Sequence, residues 1–284
     1  MIDGFIQSWP LFHNAYAAGW LMAVVLALVG VLVVARDQIF IGAAVSNASM
    51  LGITVGMLLE TMPSLATFAW LHAESFHTFC GSLFAVLGAA LTARAGDTGR
   101  ESREAVTGWV FLVGVSVSIL AAAGSPHSLE QVHRLIASTI IGATRADVFL
   151  FGVMVLISGA VIARWNRTLL LLVMDPEMAR AVGTPVRLWN GIVWVWIGIT
   201  VSLSIRVAGM TYAFACLVLP GLIAKNVCRE ARQLFVVAPI VALTTGLCGF
   251  VLANYFDYPP GQTVAAIQCL ALAAAWLVRP GRSA

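Results

Sequence analysis

The chain has 284 residues, 60% hydrophobic and only 10% charged, with 16 basic against 13 acidic side chains and a formal net charge of +3; its mean hydropathy is +0.93. A water-soluble domain of this size carries roughly 25% charged residues, so the deficit excludes an ordinary soluble enzyme and points to a polytopic membrane protein. No nucleic-acid partner is expected.

In chain order, the first apolar run, Ala15 to Ala35, follows an N-terminus without a basic region and ends at Arg36-Asp37, not at a small-residue cleavage site. It reads as a retained span and not as a signal peptide. Apolar runs between charged or Pro/Gly breaks place further spans near 39–59, 64–93, 107–123, 146–164, 188–205, 209–226, 234–253 and 262–278. In lipid each backbone amide must be satisfied within its own segment, so segments of this length are helices. The expected fold is an all-α bundle of eight or nine transmembrane helices forming one membrane domain over residues 1–284, with no room for a soluble catalytic domain. Cys80, Cys216, Cys228, Cys248 and Cys269 form no C-x-x-C pair and read as small hydrophobes.

Short loops that keep Lys and Arg lie on the cytoplasmic side. With the N-terminus outside, the inner loops and tail hold Arg36, Arg94, Arg100, Arg103, Arg164, Arg167, Arg180, Arg187, Lys225, Arg229, Arg232, Arg279 and Arg282, which is 13 of the 16 basic residues. Arg134, Arg145 and Arg206 remain outside. The expectation is a bacterial inner-membrane protein with its N-terminus outside and its C-terminus in the cytoplasm.

Two loops are more than connectors. Outside, Ser125 to Asp147 sets Leu129, Val132, Leu135, Ile136 and Ile140 at helical spacing opposite Glu130, Gln131, His133 and Arg134, as in an amphipathic helix lying on the membrane. Inside, Asp175-Pro176-Glu177 combines a cap with a first-turn proline, and Gly183 precedes Pro185. That pattern starts and stops a short helix, with Ala179 and Gly183 four apart, and the helix serves either as a docking element or as an ordinary capped loop.

The stretches VVARDQIFIGAAVSNASMLGITVGMLL, LLVMDPEMARAVGTPVRLW, SIRVAGMTYAFACLVLPGLIAKNV and NYFDYPPGQTVAAI resemble, in order and separation, the permease subunits of the zinc/manganese/iron class of ABC transporters. The resemblance spans roughly Ala15 to Leu277, and its most distinctive pieces are Asp-Pro-Glu-x-Ala-x-x-x-Gly and Leu-Pro-x-x-x-Ala. It implies a substrate-conducting subunit, two copies per transporter, driven by cytoplasmic ABC ATPase subunits and fed by a periplasmic or lipid-anchored metal-binding protein. It also implies that Asp175, Glu177, Ala179, Arg180 and Gly183 form the coupling helix that docks on the ATPase. No permanent cofactor is implied, the divalent metal ion being cargo. The only lysine, Lys225, follows Ala224, so the chain has no Gly-Lys-Ser/Thr phosphate loop of its own.

Ala43, Ser46, Asn47 and Ser49 mark the expected translocation path. A stripe of small residues lets another helix approach, and hydroxyl and amide groups are then expected to bond across the gap and to face protein or water instead of lipid. Relatives of the class carry Asp and His where this chain has Ala43 and Asn47, so both expected ligands are missing. Transition-metal ions favour imidazole, thiolate and carboxylate donors. Three readings stay open: a second, different permease supplies the ligands in a heterodimer; other donors here do so; or the subunit has moved to another substrate or to a non-transporting role. Other donors are available in Glu74, His77 and Cys80, which recur every three residues after His72, and in His127, Glu130 and His133. Each set also reads as ordinary polar helix surface. Arg206, at a turn between spans, is expected to snorkel outward, and Asp257 sits on an external proline-containing turn.

Other classes fit less well. No HExxH, GxSxG or paired intramembrane carboxylates favour a membrane enzyme. An ionisable residue at the centre of a span, which an ion-coupled secondary transporter needs, is missing as well.

Overall fold

The computed structural model describes residues 2–36, 38–61, 74–95, 102–123 and 140–278. Among the described residues ten α-helices follow one another: α1 Ile2–Val34, α2 Phe40–Thr61, α3 Glu74–Ala95, α4 Arg103–Ala123, α5 Arg145–Met174, α6 Pro176–Ala181, α7 Val186–Ala208, α8 Met210–Val227, α9 Ala231–Phe256 and α10 Pro260–Val278. All except α6 are long and apolar enough to cross a membrane, which gives nine candidate spans among the described residues. The all-helical bundle expected from backbone satisfaction is what forms.

Boundaries differ from the sequence reading in three places, the first being that the span expected from Ala15 belongs to a helix that begins at Ile2. The helix expected from residue 64 is described only from Glu74, the stretch before it lying outside the described residues. The fifth span, expected to end at Arg164, continues helically to Met174 across a break at Trp165 (φ −119°, ψ 23°). The charge-rich Arg164-Trp165-Asn166-Arg167 stretch was read as the end of the span, but it is the kink. The Arg164 guanidinium carbon lies 5.6 Å from the Trp165 ring centroid, a cation–π contact.

The expected surface helix at 125–147 falls mostly outside the described residues. Its described end is a 3₁₀ turn, Ile140–Gly142, followed by the N-cap of α5. There Asp147 N–H donates to Thr144 Oγ1 (3.3 Å) while Asp147 Oδ2 accepts from Thr144 N–H (2.9 Å), so two donors at the helix start are satisfied reciprocally.

The helices fall into two compact units. The first comprises residues 1–38, 139–186 and 211–284, and the second residues 39–138 and 187–210. In the first, α1 packs against α5, α9 and the 3₁₀ turn, and α9 against α10. Helix α8 meets α1 where a Cβ on Gly30 would overlap the Leu217 carbonyl oxygen, so only glycine permits this approach. Tyr212, fully buried on α8, donates its hydroxyl proton to the Gly19 carbonyl of α1 (2.8 Å). Tyr16, Trp20, Tyr212 and Phe250 stack into an aromatic cluster between α1, α8 and α9.

In the second unit α2 packs against both α3 and α4. Glycine again sets the spacing. A Cβ on Gly52 would overlap the Cys80 carbonyl, one on Gly114 would lie 2.7 Å from the Asn47 carbonyl carbon, and one on Gly198 2.9 Å from Val86 N, which brings α7 onto α3. Gly209 (φ +82°) stops α7, its N–H donating to Ile205 O, and lets α8 begin at the next residue.

Candidate functional site

Helix α2 carries an unusual load of polar atoms inside the protein. Ser46, Asn47, Ser49 and Thr54 are at most 1% exposed. The expectation that they avoid lipid is therefore met, but the expectation that they bond to a neighbouring helix is not. Ser46 Oγ donates to Gly42 O (2.8 Å), Asn47 Nδ2 to Ala43 O (2.9 Å) and Thr54 Oγ1 to Met50 O (2.9 Å), all within α2. For Asn47 the reason lies in what faces it. Helix α4 brings Gly114 against Asn47, and α3 brings Gly88 against Ala48, and a glycine offers no side-chain partner. Bonding back to the carbonyl one turn earlier is what remains.

Two atoms stay unpartnered even so. Asn47 Oδ1 and the Ser49 hydroxyl are buried without a hydrogen bond among the described residues. An orphaned buried carbonyl costs about 1–3 kcal/mol, so their presence needs a reason. Ala43, half-buried one turn before Asn47, adds only a methyl group and its carbonyl. The α2 site is thus a neutral set of oxygens, and among the described residues no three His, Cys, Asp or Glu side chains converge.

Helix α7 repeats the theme, which the sequence reading missed. Thr200, Ser202 and Ser204 are fully buried. Ser204 Oγ bonds back to Thr200 O (2.8 Å) and Ser82 Oγ of α3 donates to Ser202 Oγ (3.3 Å). The signal was present in the hydroxyls of Thr200-x-Ser202-x-Ser204, two and four residues apart, which like those on α2 cluster within about one turn. Arg206 lies in the last turn of α7, half-buried.

Of the expected metal set, His77 and Cys80 stand one turn apart on α3, while the side chain of Glu74 lies outside the described residues. His127, Glu130 and His133 lie outside them entirely. What His77 meets is a residue not considered from the sequence: its Nε2 is 3.1 Å from Glu60 Oε2 at the end of α2. The approach is possible because Gly56 leaves room for the imidazole, a Cβ there lying 3.2 Å from His77 Cδ2 and 3.5 Å from Cys80 Cβ.

The short helix α6 forms as its residues dictate. Asp175 Oδ1 accepts from Glu177 N–H (3.1 Å) and Met178 N–H (2.9 Å), Pro176 occupies the first turn, and Gly183 adopts φ +83°. At the far end Thr184 N–H donates to Ala179 O and Gly183 N–H to Arg180 O, the double closure of a helix ending on a left-handed glycine. Asp175, Glu177, Arg180 and Gly183 are exposed, but Ala179 is fully buried. Ala179 and Gly183 therefore do not make one free face. The outward surface is Met178 and Val182, more than half exposed, between Glu177 and Arg180. Beyond the spans, partial burial raises the Cys228 thiol above its ordinary range, so it is not an activated thiolate.

Residues 8–279 match the ABC 3 transport family. The chain belongs to that family. It is a membrane permease subunit of an ABC transporter, and the ATP hydrolysis of such a transporter resides in partner subunits. Similar proteins include a probable metal transport system membrane protein of Thermotoga maritima, 24% identical over 92% of this chain and 88% of its own. The manganese transport system membrane protein MntC of Halalkalibacterium halodurans is 20% identical over 97% and 89%. The solved structure of PsaBC from Streptococcus pneumoniae in complex with Fab has the same fold, with a TM-score of 0.81 over 99% of this chain and 97% of that chain at 17% identity.

Proposed function

We propose that the chain forms half of the membrane pathway of an ATP-driven importer for divalent transition-metal ions, paired with a second, non-identical permease that supplies charged ligands. The names of its relatives support the cargo class: manganese for MntC and zinc for the ZnuB protein of Haemophilus influenzae, 20% identical over 89% of this chain. The observation that carries the pairing is the neutral α2 site, in which Asn47 Oδ1 and Ser49 Oγ are buried without partners. One amide and one hydroxyl oxygen suit a passing ion that keeps part of its hydration, but they are too weak to select it alone.

In this reading Ala43, Ser46, Asn47 and Ser49 line the path, and α6 sits on the ATPase through Met178 and Val182, framed by Glu177 and Arg180. ATPase closure would then open the path alternately to each side. The N-terminus lies outside and the C-terminus in the cytoplasm of a bacterial inner membrane in this reading, which the distribution of Arg and Lys supports. A periplasmic or lipid-anchored metal-binding protein delivers the ion.

Copurification tests the assembly. The chain expressed with the ATPase and permease genes beside its own is expected to bring down both products, and Glu177→Lys to weaken ATPase recovery and uptake together. Recovery of a transport-competent complex holding two copies of this chain and no other permease would refute the pairing. Intact ATPase recovery and uptake in Glu177→Lys would refute the docking role of α6.

A further inference from the structure

We propose that Glu60 and His77 form a loading site for a hydrated divalent transition-metal ion at the α2–α3 end of the second unit. The inference rests on the metal-import reading and adds a ligand pair to it. The imidazole nitrogen and the carboxylate oxygen stand 3.1 Å apart on adjacent helices, and nitrogen plus oxygen is the donor mix that borderline divalent ions take.

Three observations favour a ligand site over a strap between the helices. First, the strap is redundant: α2 and α3 are already in backbone contact at Gly52 and Cys80. Second, the pair is not an aligned hydrogen bond, since His77 Nε2 makes none among the described residues despite its distance to Glu60. A ring nitrogen held at this distance from a carboxylate without an aligned hydrogen bond can take a cation in place of a proton. Third, the side chains are 19% and 32% exposed. His77 Nε2 itself is buried, so it is from the side of the Glu60 carboxylate that solvent completes the coordination shell.

Placement and strength agree with such a role. Glu60 follows Asn47 by thirteen residues on one continuous helix, about 20 Å at 1.5 Å per residue, so the pair stands at one end of the span whose interior carries the neutral oxygens. Two protein ligands hold an ion weakly enough to release it, which passage requires. Gly56 is part of the construction, because a methyl group there would press on the imidazole edge.

The test is Co²⁺ binding to the full chain in lipid nanodiscs, read from the visible ligand-field spectrum and by equilibrium dialysis, with no ATP and no transport. His77→Gln and Glu60→Gln are each expected to weaken the binding by at least the roughly tenfold typical of disturbed metal sites, at unchanged thermal stability. His77→Cys, which keeps a donor, is expected to retain binding and add a thiolate-to-cobalt charge-transfer band. Folded Gln variants that bind Co²⁺ as the unaltered chain does would overturn the proposal, and so would His77→Cys that binds without the new band. The two readings fail separately. Co²⁺ bound at the pair by a transporter that imports no metal sinks the import reading alone. Metal import by a chain whose Gln variants bind normally sinks only the loading site.

Discussion

Replacing Asn47 by leucine separates stability from transport. Asn47 is 1% exposed, donates through Nδ2 to Ala43 O and leaves Oδ1 without a partner. Leucine has nearly the same shape, so it relieves an orphaned carbonyl worth about 1–3 kcal/mol. The bond it forfeits goes to a carbonyl already within the helical ladder, and side-chain hydrogen bonds within membranes average about 0.6 kcal/mol. The difference leaves the variant more stable by about 0.5–2 kcal/mol. If Asn47 Oδ1 contacts the passing ion, the same change removes uptake. The assay pairs thermal unfolding of the purified chain with metal uptake in proteoliposomes. A variant that melts higher and transports nothing is the expected result. A variant that transports normally, or one that loses transport only in proportion to lost stability, would refute the assignment of Asn47 to the path.

Gly183→Ala tests the closure of α6. Nothing crowds a Cβ there, so its cost is purely that of φ +83° for an alanine, roughly 1–2 kcal/mol, and ATPase recovery is expected to fall while bundle melting is unchanged. Gly30→Ala places a methyl group on the Leu217 carbonyl. Backbone cannot swing aside as a side-chain tip can, so the cost is expected at or above the roughly 1–3 kcal/mol of ordinary overpacking, visible as a lowered melting point. Gly159→Ala, in open space on α5, is expected to gain about 0.5–1 kcal/mol instead from helix propensity.

Features decided within a few residues of chain were readable beforehand. Asp175, Pro176 and Gly183 announce a short helix because a cap, a fixed φ and a left-handed terminator are local chemistry, and all three act in that way. The spans were equally legible, since lipid forces any long apolar run into a helix. The break at Trp165 was legible in position but not in kind: charges that read as the end of a helix flank a bend within one. The partner of Asn47 was not readable, because it depends on which surface α4 presents, and that surface is Gly114. Nor was the meeting of Glu60 with His77, which lie on different helices and follow no shared period. Ala43 and Asn47 were read from the sequence as neutral positions on α2, and both side chains carry no charge there. The burial of Asn47 Oδ1 and Ser49 Oγ without partners became visible only once the helices were packed together.

Uptake of radioactive manganese or zinc by proteoliposomes holding the chain with its ATPase and partner permease tests the central claim most directly. An energised conduit gives uptake that follows ATP, vanishes without the ATPase and persists when the proton gradient is collapsed. Uptake that survives ATP withdrawal and dies with the gradient would contradict it.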